Sequence, residues 1–209
     1  MTTSNYSPVK ELRWTVRKYD QLLANGLFRN AHVELVAGRI IKMAPKLEPH
    51  VASVSLSAKA VERSFGDGYW VRRQDPLHLG AYSKPEPDVA VVAGTEIDYV
   101  FTGAPRSALL VIEVSESSLR YDRLRKASLY ARFGIADYWI VNLVDRQLEI
   151  YREPVADPLH RFRFRYGEMR VVKPEEFATP LASHIPMAVS AMLPPHAPTP
   201  PGPLGTIIT

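Results

Sequence analysis

"PEPDVAVV", residues 85–92, is followed by "LLVIEVSES", residues 109–117. Both are short runs rich in valine and isoleucine, the composition of interior strands covered on both faces. Each carries a carboxylate where an apolar strand tolerates one poorly: Asp88 at the mouth of the first and Glu113 inside the second. An ionised side chain in such a place is costly unless it is paired or binds a metal. Two such carboxylates at neighbouring strand ends would repel each other unless a hard divalent cation lay between them. This pair decides how the rest of the chain is read.

Outward from it, "PVKELRWTVRKYDQLLANG" (8–26) predicts a helix, with Leu12, Val16, Tyr19, Leu22 and Leu23 at helical spacing and Gly26 as a stop. "HVELVAGRIIKMAP" (32–45) predicts a hairpin in which Gly38 supplies a positive φ. "HVASVSLSAKAVERSFG" (50–66) predicts a second helix, and "YWVRRQDPLHL" (69–79) a strand. After the two central strands, "SSLRYDRLRKASLYARFG" (117–134) predicts a helix capped by Ser117 or Ser118 and ended by Gly134. "IADYWIVNLVDRQLEIYREP" (135–154) reads as strand, turn and returning strand, with Tyr138 and Trp139 as packing residues. "RFRFRYGE" (161–168) alternates, which predicts Arg161, Arg163 and Arg165 on one face and Phe162 and Phe164 on the other. The order of elements implies a single α/β domain over residues 1–190 with a mixed sheet, and a proline-rich tail over 191–209.

The 209 residues contain no cysteine, which removes disulfides and thiolate metal sites and fits a reducing cytosol. "MTTSNYSPVKELRW" has no apolar signal core, and no run approaches the ~18 apolar residues of a membrane span, so a cytoplasmic protein is expected. The net charge of +4 is a mild excess. The arginines cluster in "VRRQ", "LRYDRLRK" and "HRFRFRYGEMR", which form either a phosphate-binding surface or solvated faces of strand and helix.

Magnesium takes oxygen ligands in an octahedron and keeps several waters, so two carboxylates plus a backbone carbonyl are typical protein contributions. Lys126 follows on the next helix, four residues after Asp122 and on its face. A metal, two carboxylates and a lysine suit hydrolysis of a phosphodiester. The ion polarises the phosphoryl oxygen and acidifies a bound water, and an ammonium orients that water or stabilises developing charge.

The runs "PEPDVAVV", "LVIEVSESS" and "YDRLRKASLYARFGIADYWIVN", preceded by "HVELVAGRIIKMAPKLEPH", together resemble the Uma-type putative restriction endonucleases, a branch of the PD-(D/E)XK nuclease superfamily. The resemblance spans residues 10–190. It implies a restriction-endonuclease-like core of mixed sheet flanked by helices, with an N-terminal helix and hairpin and the site at one sheet edge. It also implies Asp88 and Glu113 as metal ligands, the Val114 carbonyl as a third, and Mg2+, with Mn2+ as a substitute, as the cofactor. The superfamily's lysine position two residues after the acid is Ser115 here, and Lys126 takes the place of the migrated lysine. Glu34 would approach from the hairpin to bind or orient the metal. Asn142 stands where the family commonly has aspartate, and "EVSESSL" replaces "EVLSPST".

Each residue also has a plainer reading. Asp88 suits a turn after two prolines, Glu113 a buried ion pair with an arginine, Lys126 an exposed pair with Asp122, and Glu34 a solvent-facing strand position. His50 suits a helix cap, a phosphate contact or no special role, and Gln74, which could reach a phosphate or the metal's water, is read as an ordinary strand residue. The expected function is a DNA endonuclease, as a homodimer where both strands are cut. A catalytically silent nucleic-acid-binding or accessory protein is the rival, and RNA or a small nucleotide are other possible substrates.

Overall fold

The computed structural model describes residues 11–195. The chain runs α1 (Val16–Ala24), β1 (Val33–Val36), β2 (Arg39–Lys42), α2 (Glu48–Phe65), β3 (Tyr69–Arg73), β4 (Val89–Ala93), α3 (Glu96–Tyr99) and β5 (Leu110–Ser115). A helical segment follows as α4 (Leu119–Tyr121), a π-helical stretch (Asp122–Lys126) and α5 (Ala127–Arg132). The strands β6 (Asp137–Asn142), β7 (Gln147–Ala156), β8 (Phe164–Val172), β9 (Phe177–Ala178) and β10 (Met187–Ala188) complete it.

Six strands form one mixed sheet in the order β3-β4-β5-β6-β7-β8. Every neighbouring pair is antiparallel except β5–β6. A parallel pair needs a crossover, and the segment from α4 to α5 supplies it. That connection carries the helix over one face of the sheet at the C-terminal end of β5.

Alternation sorts the central strands between two cores. Val89, Val91, Ile112 and Val114 face the core that contains Val54, Val61 and Phe65 of α2. Ala90, Val92 and Val111 face the core that contains Leu129 and Tyr130 of α5. Trp139 and Tyr138 are both fully buried and divide between those two cores, so both serve as packing residues. Trp139 Nε1 donates to Asp137 at 2.6 Å, and Asp137 also holds Arg152 and the Leu181 amide.

The hairpin turn forms as its sequence suggests, with Ala37 at φ 50° and Gly38 at φ 81°, both left-handed as a type I′ turn requires. The hairpin packs on α1 through Val16, Tyr19, Val33 and Leu35.

Three local expectations need correction. The first helix begins at Val16, with Thr15 capping Lys18, and Leu12 lies exposed before it; the apolar spacing over-extended the helix. Ser118 occupies the N-cap of α4 without a capping bond, because its hydroxyl is spent on Asp122. The alternation in "RFRFRYGE" is not a strand throughout, since β8 starts only at Phe164 and Arg163 turns the chain at φ 63°. At the far end, Met192 and Leu193 are buried in the α2-side core, so the globular part reaches past residue 190. Most of the expected proline-rich tail, 196–209, lies outside the described residues.

Candidate active site

Asp88 sits one step before Val89, which pairs with Ile112, so the antiparallel register carried one step further sets Asp88 opposite Glu113. Residues directly opposite in an antiparallel pair project from the same face. Glu113 meets the helical crossover at Lys126 and Tyr130, Asp88 is met by Gln74 and by His50 of α2, and both carboxylates line a cleft of about 350 Å³ together with Val114 and Lys46.

Asp88 Oδ2 accepts the Val114 amide at 2.9 Å. Its Oδ1 accepts from Gln74 Nε2 at 3.2 Å and lies 3.2 Å from His50 Nε2 and 3.9 Å from Lys46 Nζ. Burial pushes the Asp88 carboxyl up, but the His50 contact, the Val114 amide and the Lys46 charge outweigh it and hold Asp88 below the usual carboxylate range. Gln74 is held in the left-handed region at φ 56° while its amide bonds the Asp88 carbonyl, a strained conformation of the kind that collects at functional sites. His50 and Gln74 are thus more than cap and strand residue, and both converge on one carboxylate. Outer partners of this kind are typically worth 10–100-fold in metal affinity. His50→Ala is accordingly expected to weaken Mn2+ binding by about that factor with little change in melting temperature, as calorimetric titration would show.

Glu113 is 5% exposed. Its Oε1 accepts from Lys126 Nζ at 3.0 Å and from Tyr130 Oη at 2.7 Å. Its Oε2 accepts no hydrogen bond among the described residues. Burial pushes the Glu113 carboxyl up to about 8, against the pull of Lys126.

Lys126 is fully buried and bridges two carboxylates, with Glu34 Oε2 at 2.8 Å and Glu113 at 3.0 Å. Burial alone would discharge the ammonium, but Glu113 and Glu34 hold its pKa well above the ordinary lysine value. The exposed pairing with Asp122 does not form. Asp122 is itself buried and takes the Ser115 and Ser118 hydroxyls at 2.7 and 2.6 Å, and its carboxyl is raised chiefly by burial. Lys126 ends the π-helical stretch; such stretches occur frequently at functional sites.

Glu34 is likewise buried rather than solvent-facing, and it also accepts the Tyr121 hydroxyl at 3.1 Å and the Glu86 amide at 3.3 Å. Glu34 and Lys126 do not line the cleft; they form its support behind Glu113. Tyr121 and Tyr130 belong to this support. The sequence held a faint sign of them, as tyrosines five before and four after Lys126, but the same spacing fits any packed helix.

The donor chemistry fits a hard divalent cation. Asp88 is held ionised, Glu113 keeps one oxygen free of protein donors, and Val114 lines the same cleft. No cage of three or more His, Asp or Glu side chains occurs among the described residues. The groups that could hold such an ion are Asp88, Glu113 and the Val114 carbonyl, with the remaining positions left to water, as magnesium prefers.

No curated protein matches the sequence. Among solved structures, the fold is similar to a putative nuclease belonging to DUF820 from Anabaena variabilis. The TM-score is 0.57 at 14% identity, over 78% of this chain and 89% of that one. The family model described as "putative restriction endonuclease", Uma2, matches residues 16–182, more than half of the sequence and the whole of the β4–β5 site. The chain belongs to the Uma2 putative restriction endonuclease family.

Proposed function

We propose that this protein is a divalent-metal-dependent endonuclease hydrolysing DNA phosphodiester bonds at the cleft between Asp88 and Glu113. The observation that carries the reading is the pairing itself: two buried carboxylates opposed across β4–β5, one held ionised and one with an oxygen free of protein donors. Mg2+ or Mn2+ bound there supplies Lewis-acid polarisation of the phosphoryl oxygen and a water of lowered pKa. Asp88 presents a fixed negative charge, oriented by the Val114 amide and Gln74. Tyr130 and Lys126 fix the rotamer of Glu113. Being buried, Lys126 acts as a positioning residue through Glu113 and Glu34 rather than by touching the attacked phosphate. Lys46 and His50, in the cleft wall beside Asp88, are the groups placed to receive the phosphate's negative charge. Cutting both strands calls for two such clefts, and a homodimer supplies them.

The test is a titration of Mg2+ and Mn2+ into the wild type and Asp88→Ala, with each protein assayed on supercoiled plasmid. Metal binding and nicking in the wild type, both lost in Asp88→Ala and both removed by EDTA, are expected. A wild type that binds no divalent metal at millimolar concentration defeats the reading, and the fold then serves a silent binding protein.

A further inference from the structure

The arginines that cluster in the sequence divide into two groups in space. Arg72 stacks over Trp70 at 4.5 Å, Arg73 pairs with Glu62, and Arg123 pairs with Glu149. Arg152 holds Asp137, and Arg165 holds Asp157. These charges are spent within the fold. Arg13, Arg125, Arg132, Arg161 and Arg163 have no carboxylate within 4.0 Å among the described residues. Together with Arg39, which pairs with Glu11, they line one half-open cavity of about 730 Å³. No acidic residue lines it, and Phe162 and Phe164 give it an apolar wall.

This cavity neighbours the carboxylate cleft through a third hollow. A hollow of about 440 Å³ shares Arg125 and Arg161 with the arginine cavity and Ser117 with the cleft, and adds Arg120. The three hollows follow one another along the surface from Asp88 and Glu113, past the start of α4, to the turn at Arg161–Arg163, and together outline a trough.

Six guanidiniums facing one hollow repel each other unless an anion joins them, and only one has a protein carboxylate. The guanidinium fork matches phosphate oxygens bidentately, and several in a row match a repeating phosphate rather than a single one. Aromatic walls between cations are the usual company of a nucleic-acid backbone, where bases or sugars lie against the rings. We propose that this trough holds the phosphodiester backbone of the strand cut at the carboxylate cleft, on one side of the scissile bond. Its placement relative to the cut rests on the nuclease reading; its affinity for the backbone does not.

The test uses the full chain in EDTA with short fluorescein-labelled DNA, duplex and single-stranded, and RNA of the same sequence. Anisotropy is followed across a salt series for the wild type, Arg125→Glu/Arg161→Glu, Arg132→Ala/Arg163→Ala and the charge-keeping Arg125→Lys/Arg161→Lys. The slope of log affinity against log salt should fall by about 0.9 per neutralised arginine on duplex and about 0.7 on a single strand. The reversal pair should lose at least about tenfold in affinity at low salt, while the lysine pair keeps the wild-type slope. Unchanged slopes in both arginine-removing pairs overturn the trough, whatever the plasmid assay shows. Trough-dependent binding without nicking under any divalent metal removes the nuclease reading and keeps the trough. Preferential binding and cutting of RNA keeps the trough and moves the substrate from DNA to RNA.

Discussion

Lys126→Met is expected to destabilise the protein by about 3–5 kcal/mol, the usual cost of removing one partner from a buried charge cluster. The substitution keeps the length of the side chain and its packing between α5 and the sheet, so the loss reports charge rather than volume. It leaves Glu34, which is fully buried, facing Glu113 with no cation between them. Glu113 has a way out, because burial already raises its pKa and so eases its protonation. Glu34 has only the Tyr121 hydroxyl and the Glu86 amide. Adding Glu34→Gln to Lys126→Met should therefore recover part of the loss, with a coupling of about 0.5–3 kcal/mol in urea denaturation. A Lys126→Met protein within about 1 kcal/mol of wild type would show that the ammonium is not structural. It would then return to the role expected from sequence, a cation acting directly on the phosphate.

Glu113→Gln is expected to separate stability from chemistry. Glutamine copies the shape of the protonated carboxyl and still accepts from Tyr130 and Lys126. Metal binding and nicking should fall by more than about 100-fold, beyond the cost of losing an outer-sphere partner. The fold should survive, and its pH dependence should change in a defined direction. The folded-state pKa of Glu113 is raised from 4.5 to about 8, so the native state binds the extra proton between those values. The group therefore adds stability fully below pH 4.5 and loses it as the pH rises towards 8. Glu113→Gln removes that dependence, up to about 1.4 kcal/mol per pH unit. In EDTA the mutant should gain on the wild type steadily from pH 5 to pH 8, as measured by chemical denaturation. Parallel curves for the two proteins would place the Glu113 pKa in the ordinary range.

The sheet and the carboxylate pair were legible because both are written in local pattern. Valine-rich runs named the central strands, and a charge inside one of them marked Glu113 as exceptional. The family resemblance then tied Lys126 and Glu34 to the same place. The manner of that meeting could not be read. That Lys126 would be sealed between two glutamates depends on how the crossover helix settles on the sheet, and on a π-helical stretch that no periodicity announces. His50 and Gln74 could be considered for phosphate or metal water, but their contact with Asp88 could not be read, because each lies far from it in sequence and reaches it only through β3 and the start of α2. "RFRFRYGE" misled for a physical reason: alternation is a property of strands, but a left-handed residue at Arg163 breaks the pleat before β8 begins.

The buried bridge joins parts of the chain that lie far apart in sequence. Glu34 on β1 and Tyr121 before the π-helical stretch are 87 residues apart, and the contact needs the hairpin docked against a helix that itself crosses between parallel strands. Loop-closure entropy of that kind is spent before any contact repays it. Until those parts meet, Glu34 and Glu113 are separate solvated anions, and the cleft has no backing wall. The proposed cleft is therefore complete only once the hairpin has docked on the crossover helix, and a chain in which that docking is undone has the sheet without its site.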